Sequence, residues 1–190
     1  VILEPIKDPG KFKEKRDFLE EAIAFATERT LKNLSDFVHD YPTASSVNGR
    51  YQKTINGYGI LGTDWTQGFW TGMLWLCYEL TGNQLYRAVA EAQFDDYKKR
   101  YDEFDCLYHH DMGFLYVPSI VAQYKVTKAK KAQKLALKVA KLLSRRYCQE
   151  AKVIQVRDRN SQGVFIIDSM MNLPLLFWAS TQRGQRSYYF

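Results

Sequence analysis

The chain has 190 residues, a formal charge of +6, 46% hydrophobic and 25% charged residues, which suits a single domain able to fill a core. No apolar run approaches the roughly 20 residues needed to span a membrane, and no zinc-finger spacing or base-reading basic helix points to nucleic acid. Aromatics make up 15%, with 13 Tyr and 4 Trp; they fit a large core or a surface that stacks on carbohydrate. Cys77, Cys106 and Cys148 form no Cys-x-x-Cys and no Cys/His metal spacing. They read as reduced, which points to a reducing compartment such as the cytoplasm, with the periplasm as the alternative. Val1-Ile2-Leu3-Glu4-Pro5 carries no signal-peptide pattern.

Residues 1–10 are a lead-in ending in Pro9-Gly10. From Lys11 to about His39 the residues Phe18, Ala22, Phe25, Ala26, Leu31, Leu34 and Phe37 recur near helical spacing, and Tyr41-Pro42 stops the pattern. Residues 43–63 are rich in Ser, Asn, Gly and Thr, with turn signals at Asn48-Gly49 and Asn56-Gly57. So long a loop in a compact domain suggests function, and Thr54 to Gly59 offers donors for a ligand.

Thr63-Asp64-Trp65-Thr66-Gln67 opens the next helix. Thr63 or Asp64 can cap it and Gln67 suits a capping box. It is apolar on most sides through Trp70 and Trp75, hence an inner helix, and stops at Thr81-Gly82-Asn83. Residues 84–104 carry Arg87, Glu91, Asp95, Asp96, Lys98, Lys99 and Arg100 opposite Leu85, Val89, Ala92 and Phe94, which predicts an amphipathic outer helix.

The pattern repeats. His109-His110-Asp111-Met112-Gly113-Phe114 leads an apolar helix through Leu115, Val117, Ile120, Val121 and Tyr124. Lys128 to Gln149 is a lysine-rich amphipathic helix, whose charge reads as a solvated face with attraction of an acidic ligand as the sharper alternative. Val153 to Val156 is extended and Arg157 to Gly163 is a polar loop. Ile166 to Ala179 is nearly all apolar with Asp168 at its front, and Thr181-Gln182-Arg183-Gly184 closes it. Inner and outer helices thus alternate with a period near 50 residues, as stacked helical hairpins do. Pro118 and Pro174 should bend their inner helices. Three inner helices running the same way would gather Trp65, His110, Asp111 and Asp168 at one end.

Asp168 has two readings, a helix N-cap or a general acid whose pKa is raised by burial beside Met170, Phe177 or Trp178. Asp111 has the same two. A pair of carboxylates facing across one site resembles glycosidase chemistry, although two helix caps could produce the same spacing. His109 and His110 lack a third histidine or a thiolate, so no metal is expected; hydrogen bonding beside Asp111 suits His110 better. Trp65, at a helix mouth, is the indole placed to lie against a ligand ring, whereas Trp70 and Trp75 read as core.

Three motifs carry a resemblance: Asp64-Trp65-Thr66-Gln67-Gly68-Phe69-Trp70-Thr71-Gly72-Met73-Leu74-Trp75, His109-His110-Asp111-Met112-Gly113-Phe114 and Ile167-Asp168-Ser169-Met170-Met171-Asn172-Leu173-Pro174-Leu175-Leu176. Together they resemble the unsaturated glucuronyl hydrolases, glycoside hydrolase family 88, from about Leu31 onward. The resemblance implies an all-α chain, residues 1–190, that is one portion of a catalytic (α/α)6 toroid or barrel. About three of its helical pairs are present, and the end near Ser187 to Phe190 falls where another outer helix is due. It implies no cofactor, and hydration of the C4=C5 enol ether of a 4,5-unsaturated uronic acid at the non-reducing end of lyase-generated oligosaccharides. Asp168 and Asp111 are then the catalytic residues, with Trp65 and His110 binding substrate. Unsaturated uronyl oligosaccharides are the expected partners, and oligomeric state is left open. Where some members have an aromatic beside the sugar this sequence has Arg157, which implies a changed preference for the neighbouring or sulfated sugar. The alternatives are a non-catalytic carbohydrate-binding or structural half-toroid and a related rhamnogalacturonyl hydrolase; the His109-His110-Asp111 wording favours the glucuronyl type.

Overall fold

The computed structural model describes residues 8–54, 64–103, 107, 109–156 and 164–183. A 3-10 segment, Pro9–Lys15, leads into α1 (Arg16–Asn33). The next helices are α2 (Gln67–Thr81), α3 (Gln84–Ala92) and α4 (Phe94–Asp102). Then come α5 (Met112–Tyr116), a π-helical turn (Val117–Val121), α6 (Ala122–Thr127) and α7 (Lys130–Ser144). Strands β1 (Tyr147–Cys148) and β2 (Val153–Ile154) pair antiparallel, with Tyr147 opposite Ile154. A 3-10 segment, Ile167–Met171, precedes α8 (Leu173–Arg183). Among the described residues the fold is all-α apart from this two-stranded ribbon and isolated bridges at Pro42–Lys53 and Val47–Arg50.

Local chemistry sets several of these boundaries. Asn48 and Gly49 both have positive φ, 51° and 73°, and Val47 and Arg50 exchange both backbone hydrogen bonds across them. That is the tight hairpin turn expected of Asn-Gly. Gly82 ends α2 in the left-handed conformation, its N–H bonding to Tyr78 O at 2.8 Å. Pro118 sits in the π turn, where its missing N–H interrupts the ladder between α5 and α6. Pro174 does not bend a helix. It is the second residue of α8, where no N–H is needed.

The inner elements are α2, the α5–α6 unit and α8, with α3, α4 and α7 packed outside them. Close approach fixes their direction. A Cβ on Gly68 would lie 2.3 Å from Phe114 O, and one on Gly72 would lie 2.7 Å from Pro118 Cβ. The positions rise together along both helices, so α2 and α5 run parallel. A Cβ on Gly113 would lie 2.3 Å from Asn172 Cα, and further on Tyr124 packs edge-on against Trp178 at 5.9 Å. The α5–α6 unit and α8 therefore run parallel too, and the starts of all three inner helices lie together.

The core is built from Trp70, Leu74, Trp75, Tyr97, Leu115, Tyr116, Ile120, Leu143, Leu175 and Leu176, among others. Four further expectations need correction. The helix expected from Lys11 to His39 ends as α1 at Asn33. Its proposed apolar face is largely in water, with Phe18 69% and Phe25 61% exposed; only Leu34 and Phe37 reach the core. Its described neighbours touch α1 near its end, where Tyr86 Oη donates to Thr27 O at 2.7 Å. On the outer α3–α4 pair, Leu85 and Ala92 are exposed and Arg100, assigned to the solvated face, is buried. Gln67 does not form a capping box; its side-chain oxygen accepts from Arg100 Nη2. The front of the Asp168 segment is a 3-10 turn with Ile167, Met170 and Met171 exposed, and burial begins at Asn172. Asn56-Gly57, Thr63, Cys106, Arg157 and Gly184 lie outside the described residues. Cys77 and Cys148 are free thiols. No helix of the described residues is long and apolar enough to cross a membrane.

Candidate active site

Neither acid is used as a helix cap. Asp111 occupies the N-cap position of α5 but its side chain makes no capping bond. The N-cap of the 3-10 segment carrying Asp168 is Ile166. Both carboxylates turn instead to one imidazole. His110 Nε2 lies 3.1 Å from Asp111 Oδ1 and 3.6 Å from Asp168 Oδ1. The His110 side chain is 2% exposed. On its other edge Nδ1 lies 3.0 Å from Ser169 Oγ. A ring nitrogen facing two carboxylates favours carrying the proton, so Nδ1 is the acceptor and Ser169 the donor.

The second histidine completes the setting of Asp111. The Asp111 backbone N–H donates to His109 Nδ1 at 3.1 Å, and the same ring nitrogen lies 3.1 Å from Asp111 Oδ2. Burial by itself would raise the pKa of Asp111. The imidazoles of His109 and His110 beside it outweigh burial and hold the carboxyl well below the usual range. Asp111 is therefore an anion at neutral pH. Asp168 is placed differently: its side chain is 42% exposed. The expected enclosure by Met170, Phe177 and Trp178 does not form, because Met170 and Phe177 themselves stand in solvent.

Asp111 Oδ1 and Asp168 Oδ1 are both out of water, and neither completes a hydrogen bond among the described residues. Buried acceptors of this kind are costly unless something donates to them, and a sugar hydroxyl is a suitable donor. One nitrogen and two carboxylate oxygens of His110, Asp111 and Asp168 lie within 4.8 Å of one another. A cation could bridge that spacing, but the set lacks the further imidazole or thiolate of a zinc centre.

Trp65 is half-buried in the 3-10 turn Asp64–Thr66. Its ring meets Phe114 at 5.0 Å and Phe69 at 5.9 Å. Phe114 follows Asp111 by one helical turn, and its backbone N–H donates to Asn172 Oδ1 at 3.1 Å. The indole is thus one aromatic ring away from the element that carries Asp111. It also lines a groove of about 300 Å³ with Phe37, Thr43, Tyr51 and Met73. A second cavity, about 330 Å³, adjoins the acids through Ser169 and is walled by Tyr147, Ile154, Phe165 and Phe177. A buried polar network seats the start of α2 behind Trp65. Arg100 binds Gln67 and Asp96, while Thr71 Oγ1 donates to Gln93 Oε1 at 2.7 Å.

The structure therefore brings His110, Asp111 and Asp168 into one cluster, with Trp65 on the neighbouring helix start. Trp70 and Trp75 are core, as expected. Sequence reasoning missed Ser169, which orients His110, and Asn172, which ties α8 to α5. Their only local signal was a place inside the Asp168 motif.

A family model described as Glycosyl Hydrolase Family 88 matches residues 37–190. An unsaturated glucuronyl hydrolase of Bacillus sp. (strain GL1) is 42% identical over 173 residues, covering 89% of this chain and 44% of the relative. An unsaturated chondroitin disaccharide hydrolase of Streptococcus pyogenes serotype M1 is 37% identical over 196 residues, covering 99% and 47%. Among solved structures, the Bacillus sp. GL1 enzyme, described as responsible for the degradation of glycosaminoglycan, superposes with a TM-score of 0.80 at 40% identity, over 89% of this chain and 44% of that one. A Streptococcus agalactiae unsaturated glucuronyl hydrolase variant complexed with dGlcA-GalNAc6S gives 0.74 at 31% identity, over 99% and 45%. The chain spans about half the length of the curated relatives it matches.

Proposed function

This chain belongs to glycosyl hydrolase family 88 and carries about half of an (α/α)6 toroid, and from that premise we propose that its protein releases a 4,5-unsaturated uronic acid from the non-reducing end of oligosaccharides by hydrating the C4=C5 enol ether. The chain is then one portion of the catalytic domain. The observation that carries the reading is the meeting of Asp111 and Asp168, from two different helix starts, on the single imidazole of His110.

Asp168, in its acid form, gives its proton to C4. Positive charge develops at C5 and is shared with the ring oxygen. Water adds at C5 and returns a proton to the Asp168 carboxylate. The C5 hemiketal opens to a ketone, its ring oxygen becomes a hydroxyl on C1, and the resulting hemiacetal releases the next sugar. The partial exposure of Asp168 supports this role, because a group that exchanges protons with water must reach it. Asp111 stays ionised, accepts ring hydroxyls and holds the sugar against Asp168; its negative charge also stabilises the cation at C5. His110 spaces the two acids, and Trp65 packs on the sugar. Relatives named for unsaturated glucuronyl and chondroitin disaccharide substrates support unsaturated uronyl oligosaccharides as the class.

The test is to incubate the protein with unsaturated chondroitin disaccharide and follow the ultraviolet band of the C4=C5 bond. Steady loss of the band with release of the second sugar is expected. Binding without loss would instead make the chain a carbohydrate-binding module.

A further inference from the structure

The outer helices of this chain treat their charges in opposite ways. On α1, α3 and α4 cations are paired with acids four residues away: Arg16–Glu20, Glu28–Lys32, Arg87–Glu91, Asp96–Arg100 and Lys98–Asp102, with Lys99–Glu103 at the end of α4. On α7 no cation meets an acid among the described residues. The sequence holds no Asp or Glu from Met112 to Gln149. Lys130, Lys131, Lys134, Lys138, Lys141 and Arg145 are all exposed, and none forms a salt bridge among the described residues.

These six cations share one face. At 3.6 residues per turn they fall within an arc of about 100°, along a row about 22 Å long. Ala132, Leu135, Ala136, Val139 and Leu143 fill the opposite, buried face. Like charges four apart weaken a helix, and two lysines in the first turn oppose its dipole. The arrangement therefore works against the stability of α7. Two of the cations are steadied by packing: Lys131 Nζ sits 4.3 Å from the centre of the Phe94 ring and Lys138 Nζ 5.4 Å from that of Tyr101. On the neighbouring α4, Asp96 and Asp102 are held by the helix's own cations, as is Glu103 just past its end, and the exposed Asp95 forms no salt bridge with the row among the described residues.

We propose that this face of α7 docks a linear polyanionic polysaccharide, the uronate-bearing polymer whose fragments the site hydrolyses. The occupant rests on the hydrolase reading above; the charge row does not. A ladder of lysines matches carboxylates and sulfates repeated along a straight chain. Among the described residues the face offers no free aromatic rings on which bases could stack, since Phe94 and Tyr101 are capped by lysines. It has no apolar residues among the cations to enter a lipid surface. Docking here keeps the protein on the polymer while short fragments reach the acids on the inner helices.

The test compares the full chain with a Lys130→Gln/Lys134→Gln/Lys141→Gln/Arg145→Gln variant, whose four positions are exposed and outside the acid cluster. Affinity for polymeric chondroitin sulfate is titrated against salt, with duplex DNA and phosphatidylserine vesicles as competing probes. The variant should bind the polymer about tenfold more weakly with a shallower salt dependence, while helical content and turnover of unsaturated disaccharide stay as in the parent. Equal polymer affinity in both proteins would overturn the proposal, as would tighter binding of the parent to DNA or to vesicles than to the polymer. A parent that binds the polymer through these residues but leaves the disaccharide intact would sustain the docking face and remove the hydrolase reading.

Discussion

Asp111 and Asp168 reach the same imidazole from two different helix starts, but they live in different surroundings. Asp111 is gripped by His109 and His110 and is 17% exposed. Asp168 touches His110 at a longer distance and is 42% exposed. The difference separates two jobs that identical side chains could share. A carboxylate held in its charged form by two imidazoles is a poor proton donor and a good anchor. A carboxyl with fewer partners and access to water can lose a proton and regain it.

Replacing the freer acid should have the largest effect. Asp168→Asn should slow loss of the substrate's ultraviolet band by about 10²–10⁴-fold while leaving the fold intact, since that side chain is partly in solvent. Near-normal turnover would erase the distinction between the acids. Asp111→Asn should slow turnover by about 10²–10³-fold, with much of the loss appearing as weaker binding. A mild effect would demote Asp111 to a structural group.

The same pair can be separated by acid unfolding. The folded pKa of Asp111 is depressed, so the unfolded chain binds more protons and stability rises with pH. Its contribution is present above the unfolded value of about 3.9 and is lost as pH falls through the folded one. Urea midpoints measured from pH 6 down to pH 3 should therefore fall more steeply in the parent than in Asp111→Asn. Parallel slopes would mean that the histidines do not hold this carboxyl down.

Ser169 sharpens the comparison with the smallest change. Ser169→Ala removes one hydrogen bond, about 1 kcal/mol or roughly fivefold in rate, by freeing His110 to turn away from the acids. The pH–rate profile should shift with it, and Ser169→Thr should restore both. An unchanged profile would make the serine structural.

How far the sequence carried this account depended on the range of each interaction. The hairpin at Asn48-Gly49 and the stop at Gly82 were legible because each needs a local positive φ. His110, Asp111, Asp168 and Trp65 were legible because they sit in long motifs at successive helix starts. Ser169 was not, because its partner His110 lies 59 positions away. The pairing of Gln67 with Arg100, 33 positions apart, was hidden in the same way, so a buried arginine was placed on a solvated face. The apolar period of α1 announced a face but not what would cover it. The side chains around Asp168 were read as a burial pocket because the segment is apolar, yet a 3-10 turn at its front leaves Met170 outside.

The decisive observation is a crystal structure of the Asp168→Asn protein with an unsaturated chondroitin disaccharide. The account predicts C4 of the unsaturated ring within about 3.5 Å of side chain 168, with ring hydroxyls donating to Asp111 and the sugar resting on Trp65. A sugar bound with C4 turned away from residue 168, or held without contact to Asp111, would contradict it.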